Sequence, residues 1–242
     1  MTQDRLYSAP LASVGSFEFD DAVADVFPDM IRRSVPGYAS MLAMVEQVSR
    51  QHATEHSQLY DMGCSLGAAT DRLRQHAPLS CTVHAVDNSP AMIQRLKNRL
   101  QAEDTSAGCP VILHESDLRT VEIQDAAVVV LNLTLQFVPP KERHGFLKRV
   151  AGGMLSGGAL LLSEKLIFDD PQEQELMTSL HLDFKRAHGY SELEIAQKRA
   201  ALEETLIPET ADTHLDRLRA CGFSAASVWF RCFNFASIIA IR

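Results

Sequence analysis

The chain has 242 residues, of which 46% are hydrophobic and 22% charged. That is material for one sizeable folded domain with a buried core, and it excludes disorder as the main state. Lys and Arg number 23 against 31 Asp and Glu, a net charge of −8, so direct nucleic-acid binding is disfavoured unless the basic residues are segregated.

The N-terminus MTQDRLYSAPLASVGSFEFDD is broken by Asp4, Arg5, Glu18 and Asp20 and lacks the apolar run of a secretory signal. Residues 1–57 are expected to form a mostly helical cover. The longest uncharged apolar stretches, 126–140 and 232–241, are shorter than the roughly 18 residues a membrane span needs, so a cytoplasmic protein is expected. The five cysteines, Cys64, Cys81, Cys109, Cys221 and Cys232, include no C-x-x-C pair. This fits reduced thiols better than a disulfide framework, and no metal is expected.

From residue 58 a strand–helix alternation begins. Strands are predicted at 58–62, 82–87, 111–115, 126–131 and 159–164, with helices at 68–76, 90–101 and 140–154. Such alternation gives a parallel sheet covered on both faces. The run AAVVVLNL has no polar gap, as a central strand requires. Residues 165–209 then interrupt with two helical pieces and are read as an inserted helical cap. Gly189 suits the end of the first piece, and Ser191 with Glu194 forms a capping box for the second. A helix at 211–221, stopped by Gly222, leads to strands at 227–233 and 235–241, joined through Asn234 as an antiparallel pair at the sheet edge. A seven-stranded, mostly parallel α/β sheet with a C-terminal antiparallel hairpin is the Rossmann-like layout of class I methyltransferases, in one domain spanning 1–242.

Candidate site residues sit at successive strand ends. The sequence Tyr60-Asp61-Met62-Gly63-Cys64-Ser65-Leu66-Gly67 places two glycines where a strand turns into a helix, letting backbone approach a ligand and a helix N-terminus face an anionic group. The same letters spell G-x-S-x-G with Ser65 as a hydrolase nucleophile, but the strands and oxyanion loop that motif needs upstream are missing. Asp87 lies 20 residues after Gly67, the spacing at which an acid meets ribose hydroxyls, while Ser89 can cap the next helix. Asp117 and Leu118 offer a carboxylate and an apolar neighbour to an adenine ring. Asn132 offers an amide at the fourth strand's end. On the insertion, His181, Lys185 and His188 share one helix face, read as solvated. Gln197-Lys198-Arg199 is read as surface decoration, with an Arg fork as the best available ligand for a substrate carboxylate.

Taken together, Val26-Phe27-Pro28-Asp29-Met30-Ile31, Arg33-Ser34-Val35-Pro36-Gly37-Tyr38, Tyr60 through Thr70, Asp87-Asn88-Ser89-Pro90-Ala91-Met92-Ile93, Leu133-Thr134-Leu135-Gln136-Phe137 and Gly189-Tyr190-Ser191-Glu192-Leu193-Glu194-Ile195 through Arg199 resemble the bacterial carboxy-S-adenosyl-L-methionine synthases. The segments span most of the chain in the family's order. The resemblance implies that prephenate donates a carboxyl group to the S-methyl carbon of S-adenosylmethionine, giving carboxy-S-adenosylmethionine, which can co-purify, and phenylpyruvate. It implies a sulfonium ylide that captures carbon dioxide, with the substrate's own hydroxyl as base, so no catalytic residue is assigned. A partner tRNA carboxymethyltransferase would then use the product at the wobble uridine. By the same resemblance, Tyr38, Gly63, Cys64, Ser65, Asp87, Asn88, Asp117, Leu118 and Asn132 hold the adenosyl and methionine parts. Arg199 meets the transferred carboxylate, reaching in from the second subunit of a homodimer. Ser116 departs from the family pattern, which has Gly before the acid. An ordinary small-molecule methyltransferase and a non-catalytic adenosyl-ligand carrier remain alternatives.

Overall fold

The computed structural model describes residues 2–102 and 108–242. Seven strands form one sheet in the order β3-β2-β1-β4-β5-β7-β6. β1 (Gln58–Met62), β2 (Thr82–Asp87), β3 (Val111–Glu115), β4 (Ala126–Asn132) and β5 (Met154–Lys165) run parallel. β7 (Phe235–Ile241) lies antiparallel between β5 and the edge strand β6 (Ala225–Cys232). The hairpin turns through Phe233 and Asn234 rather than through Asn234 alone, and Phe233 takes a positive φ of 52° to close it.

Helices cover both faces. On one, α5 (Pro140–Gly153) and α8 (Ala211–Ala220) bury Phe146, Leu147, Val150 and Leu218 against Met62, Leu131, Leu160 and Ile238. On the other, α2 (Tyr38–His52) and α3 (Ala68–His76) pack Val45, Val48 and Leu73 on Leu59, Val83 and Leu161. β4 feeds both cores and is buried along nearly its whole length. Its ladder shifts register between Ala126 and Val128, so Ala127 and Val128 both join the α2/α3 core. That bulge breaks the two-residue period a regular strand would keep. α4 (Pro90–Ala102) closes the β2–β3 crossover.

Over the carboxyl ends of the strands lies a second layer built from both sequence-remote segments. α1 (Asp21–Ser34), α6 (Pro171–Ala187) and α7 (Glu192–Leu202) form it. Asp20 caps α1 by accepting from Val23 N, and Asp170 caps α6 by accepting from Gln172 N and Glu173 N. α7 starts at the complete Ser191–Glu194 capping box, and Gly189, at φ +84°, ends the preceding turn in a conformation only glycine adopts freely. The N-terminal segment is sewn to α7 at several points. Phe17 N donates to Ala201 O at 3.0 Å, and the Gln197 amide bonds Tyr7 O, Ala9 O and Leu11 N. A buried knot adds to this: Tyr190 donates its hydroxyl to Asp4 at 2.5 Å, Lys198 pairs with the same carboxylate at 3.4 Å, and the Arg33 guanidinium stacks 4.0 Å from the Tyr190 ring. Gln197 and Lys198 are therefore interior residues, against the surface placement expected of them.

Candidate active site

Beneath this layer the carboxyl edge of the sheet opens into a cavity of about 540 Å³, within the usual range for small-molecule sites. Its floor begins at the turn after β1. Gly63 N and Cys64 N both donate to Val86 O, at 2.8 and 2.9 Å, which pins the turn against β2. Gly63 and Gly67 have φ of +86° and +83°. A Cβ on Gly63 would stand 2.4 Å from the Thr134 side chain, and one on Gly67 2.5 Å from Leu96 Cδ1. Both positions need glycine for conformation and for space alike.

Asp87 organises the turn from the next strand. Its carboxylate accepts from Ser65 N at 2.8 Å and from Ser89 N at 2.9 Å, leaving each oxygen a further lone pair for a ligand. Ser89 caps α4 by accepting from Met92 N. Burial raises the Asp87 pKa, opposed by the backbone N–H groups it accepts from. Asp61, on β1 itself, is fully buried and accepts from Thr70 Oγ1 at 2.6 Å; burial pushes its pKa up to about 7, with the Asp87 charge adding to the rise. Asp117 differs. The Arg119 guanidinium grips its carboxylate at 2.5 to 3.0 Å and holds its pKa low, and Arg119 also reaches Glu142. The Asp117 carboxylate is thus already paired when it faces the cavity. Ser116 turns elsewhere, bonding Thr120 Oγ1 and Asp117 O.

Nine of the ten residues predicted for ligand binding line this cavity: Tyr38, Gly63, Cys64, Ser65, Asp87, Asn88, Asp117, Leu118 and Asn132. Asn132 is notable because its Oδ1 is buried without a hydrogen-bond partner among the described residues, an arrangement that suits a ligand N–H. Arg199 is the tenth. It is exposed, lies off the cavity lining, and among the described residues makes no hydrogen bond or ion pair, with Glu194 or otherwise. Its charge nevertheless depresses Lys165 and Lys185, which places it beside the basic side of the cavity.

The hydrolase alternative finds no support in the geometry. Ser65 Oγ contacts the Met92 sulfur at 3.3 Å, and no histidine among the described residues bonds it. Cys64 is no nucleophile either, since burial first and the Asp61 charge second raise its thiol pKa.

The main surprise is the face of α6. His181 is buried, its Nε2 lies 2.8 Å from Ser34 O, and its ring meets Phe235 edge-on at 5.1 Å. A carbonyl only accepts, so Nε2 carries the proton. Burial and neighbouring lysines lower the His181 pKa to about 3, so it stays neutral. Lys185 lines the cavity with Lys165 and Lys198. The expectation of a solvated face holds for the exposed His188 and fails for His181 and Lys185; the partners of His181, Ser34 and Phe235, come from distant parts of the chain. Lys185 is pulled down to about 7 by burial and by the charges of Lys198, Lys165 and Arg199; Lys198 falls to about 8 by burial despite Asp4. Asp61 stands in the glycine-turn motif without a role assigned to it, Lys185 and Lys198 are read from the sequence as surface, and Lys165 is not singled out. A sign of Asp61 lay in its strand, where a carboxylate precedes the glycine turn among apolar neighbours.

Along the sheet edge the sequence of groups is ordered. Asp117 after β3, Asp87 on β2, Asp61 on β1 and Asn132 on β4 give way to Lys165 on β5. One cavity therefore has a carboxylate side and a cationic side.

Comparison with known proteins adds to this geometry. Residues 59–158 match the family model described as Methyltransferase domain. The carboxy-S-adenosyl-L-methionine synthase of Trichlorobacter lovleyi is 53% identical over 241 residues, covering 99% of this chain and 98% of that protein. The protein of the same name from Photobacterium profundum is 50% identical over the same share of each. Among solved structures, an O-methyltransferase family protein from Burkholderia thailandensis has a TM-score of 0.63 at 21% identity, covering 93% of this chain and 60% of its own. Human N-acetylserotonin methyltransferase, solved in complex with SAM, has a TM-score of 0.61 at 15% identity, covering 92% of this chain and 55% of its own. These two share the fold.

Proposed function

Because the chain belongs to the carboxy-S-adenosyl-L-methionine synthases, an enzyme family it matches over nearly its full length on a class I methyltransferase fold, we propose that it carries out the transfer in full: S-adenosylmethionine and prephenate react to carboxy-S-adenosylmethionine, phenylpyruvate and water. The atoms balance if carbon dioxide leaves the prephenate ring as its hydroxyl departs, the hydroxide takes a proton from the S-methyl group, and the carbanion left behind adds to the carbon dioxide. Within the wider reading, the product is handed to a tRNA carboxymethyltransferase, and the enzyme works as a cytoplasmic homodimer in which Arg199 meets the transferred carboxylate.

The observation that carries this reading is the polarity of the cavity at the carboxyl edge of the sheet. Asp87, with a free lone pair on each oxygen, suits the ribose; Asn132 Oδ1 suits an N–H of the same ligand; Leu118 lines the cavity and suits the face of an adenine ring. A cationic sulfonium is at home near Asp61 and Asp87, while the lysines on the far side suit an acid. A plain methyl transfer to a neutral acceptor would have no use for them.

The protein supplies position and a dry site rather than a base. His181, at about 3, is too weak a base to take a methyl proton, Cys64 and Tyr38 are held protonated by burial and nearby carboxylates, and the layer of α1, α6 and α7 covers the reacting groups. Incubation of the protein with S-adenosylmethionine and prephenate, followed by mass spectrometry, is expected to give a nucleoside heavier than S-adenosylmethionine by one carbon dioxide, with phenylpyruvate in equal amount. Formation of S-adenosylhomocysteine instead would return the protein to the ordinary methyltransferases.

A further inference from the structure

The proposed reaction sets an acid beside the lysine group without assigning which group of that acid the lysines hold. Lys165 comes from the end of β5, Lys185 from the last turn of α6 and Lys198 from α7, three elements that converge on one side of one cavity. In a chain of net charge −8 this segregation stands out. Lys198 has Asp4 as counter-ion at 3.4 Å and also bonds Ser34 Oγ at 3.1 Å. Lys165 and Lys185 have no hydrogen bond or ion pair through their ammonium groups among the described residues, although both side chains are largely withdrawn from solvent. Buried cations without partners are costly. An anion arriving between them recovers that cost, which is the usual reason such a cluster survives in a site.

A substrate with two carboxylates poses a choice of which one the cations hold. The carboxylate that leaves as carbon dioxide loses its charge on the way to the transition state, so an ion pair to it would stabilise the starting state and slow the step. A carboxylate that stays charged throughout can be gripped at no such cost. Contacts of that kind act equally on ground state and transition state and show in KM rather than kcat.

We propose that Lys165 and Lys185, backed by Lys198, form the subsite for the retained carboxylate of the acid substrate, an α-keto acid group, and thereby leave the departing carboxylate free of a counter-ion. The assignment rests on the carboxy-transfer reading above. The neutral His181, edge-on to Phe235 and proton-bonded to Ser34 O, forms the uncharged wall of the same subsite and keeps the α6 backbone in place.

Two measurements on the full chain test it. In turnover, Lys185→Gln and Lys165→Gln are each expected to raise KM for prephenate at least tenfold, with kcat within about threefold and S-adenosylmethionine affinity within about twofold of the native protein; Lys185→Arg should recover most of the loss because it restores the charge. A fall in kcat at unchanged KM, an equal loss of S-adenosylmethionine affinity, or no effect would overturn the assignment. In binding, phenylpyruvate, which carries the retained group alone, is titrated calorimetrically into protein saturated with S-adenosylhomocysteine. Binding by the native protein that weakens at least tenfold in Lys185→Gln supports the subsite; failure of the native protein to bind, or binding that ignores the lysine, overturns it. If carboxy product never forms while this binding remains lysine-dependent, the reaction reading falls and the α-keto acid subsite stands.

Discussion

The two sides of the cavity are built on different principles. The carboxylate side belongs to the sheet: Asp61 is tied to Thr70, Asp87 to Ser65 N and Ser89 N, and Asp117 to Arg119. Every charge there has an internal partner before a ligand arrives, so the nucleotide meets a finished mould. The cationic side joins Lys165, at the end of β5, to Lys185 and Lys198 of the helical layer, and among the described residues the ammonium groups of Lys165 and Lys185 have no such partners. Preorganisation thus serves the ligand common to the fold, and uncompensated charge serves the one that makes this chemistry particular.

The sharpest way to break the contrast is at the glycine turn. Gly63→Val puts a β-branched side chain at φ +86° and into Thr134, a combination worth roughly 4 kcal/mol of strain and overpacking. Calorimetry should show no S-adenosylmethionine binding while circular dichroism stays native; affinity within tenfold of native would place the nucleotide elsewhere. Next, Asp87→Ala removes an acceptor for both ribose hydroxyls and should weaken every adenosyl ligand alike by roughly 3 kcal/mol, or about 150-fold. Loss of one ligand and not another would contradict the ribose role.

Arg199 probes the opposite side. If its guanidinium pairs with the transferred carboxylate, Arg199→Ala should cost roughly 1.5 to 3 kcal/mol, about 10- to 150-fold, for carboxy-S-adenosylmethionine and almost nothing for S-adenosylmethionine. Equal effects on both would end that assignment. The smallest effect is a pH slope. The folded-state pKa of Asp61, about 7, exceeds its ordinary value of 3.8, so its protonation favours the fold below about pH 4 and this contribution is lost as pH rises through 7. The native chain should therefore shed stability relative to Asp61→Asn by up to about 1.4 kcal/mol per pH unit across that window. Parallel denaturation curves at pH 5 and 8 for the two proteins would show that the carboxylate is not buried as described.

The unequal legibility of the two sides has the same origin as their construction. Strands, crossover helices and the glycine turn announce themselves within short windows, and so did Gly63, Asp87 and Asn132, each at a strand's end. The start of β5 at Met154 was hidden by Ser156, Gly157 and Gly158, which read as a loop although they continue the strand. Lys185 and Lys198 looked like surface because a polar residue at helical spacing carries no mark of what will fold over it. The surroundings of Lys198 are set by Ser34 and Asp4, 164 and 194 residues away, a distance that no local pattern spans.

The knot of Asp4, Arg33, Tyr190 and Lys198 carries a consequence in time. During synthesis the first helices leave the ribosome long before their partners exist, and the roof over the cavity closes only once α7 has emerged, after five strands are already available to pair. Docking of the roof is thus a long-range event that waits for α7, whereas the five parallel strands are available before it. The sheet can present its nucleotide turn before any acid can be held, which gives the polypeptide a natural order in which its two ligand sites mature.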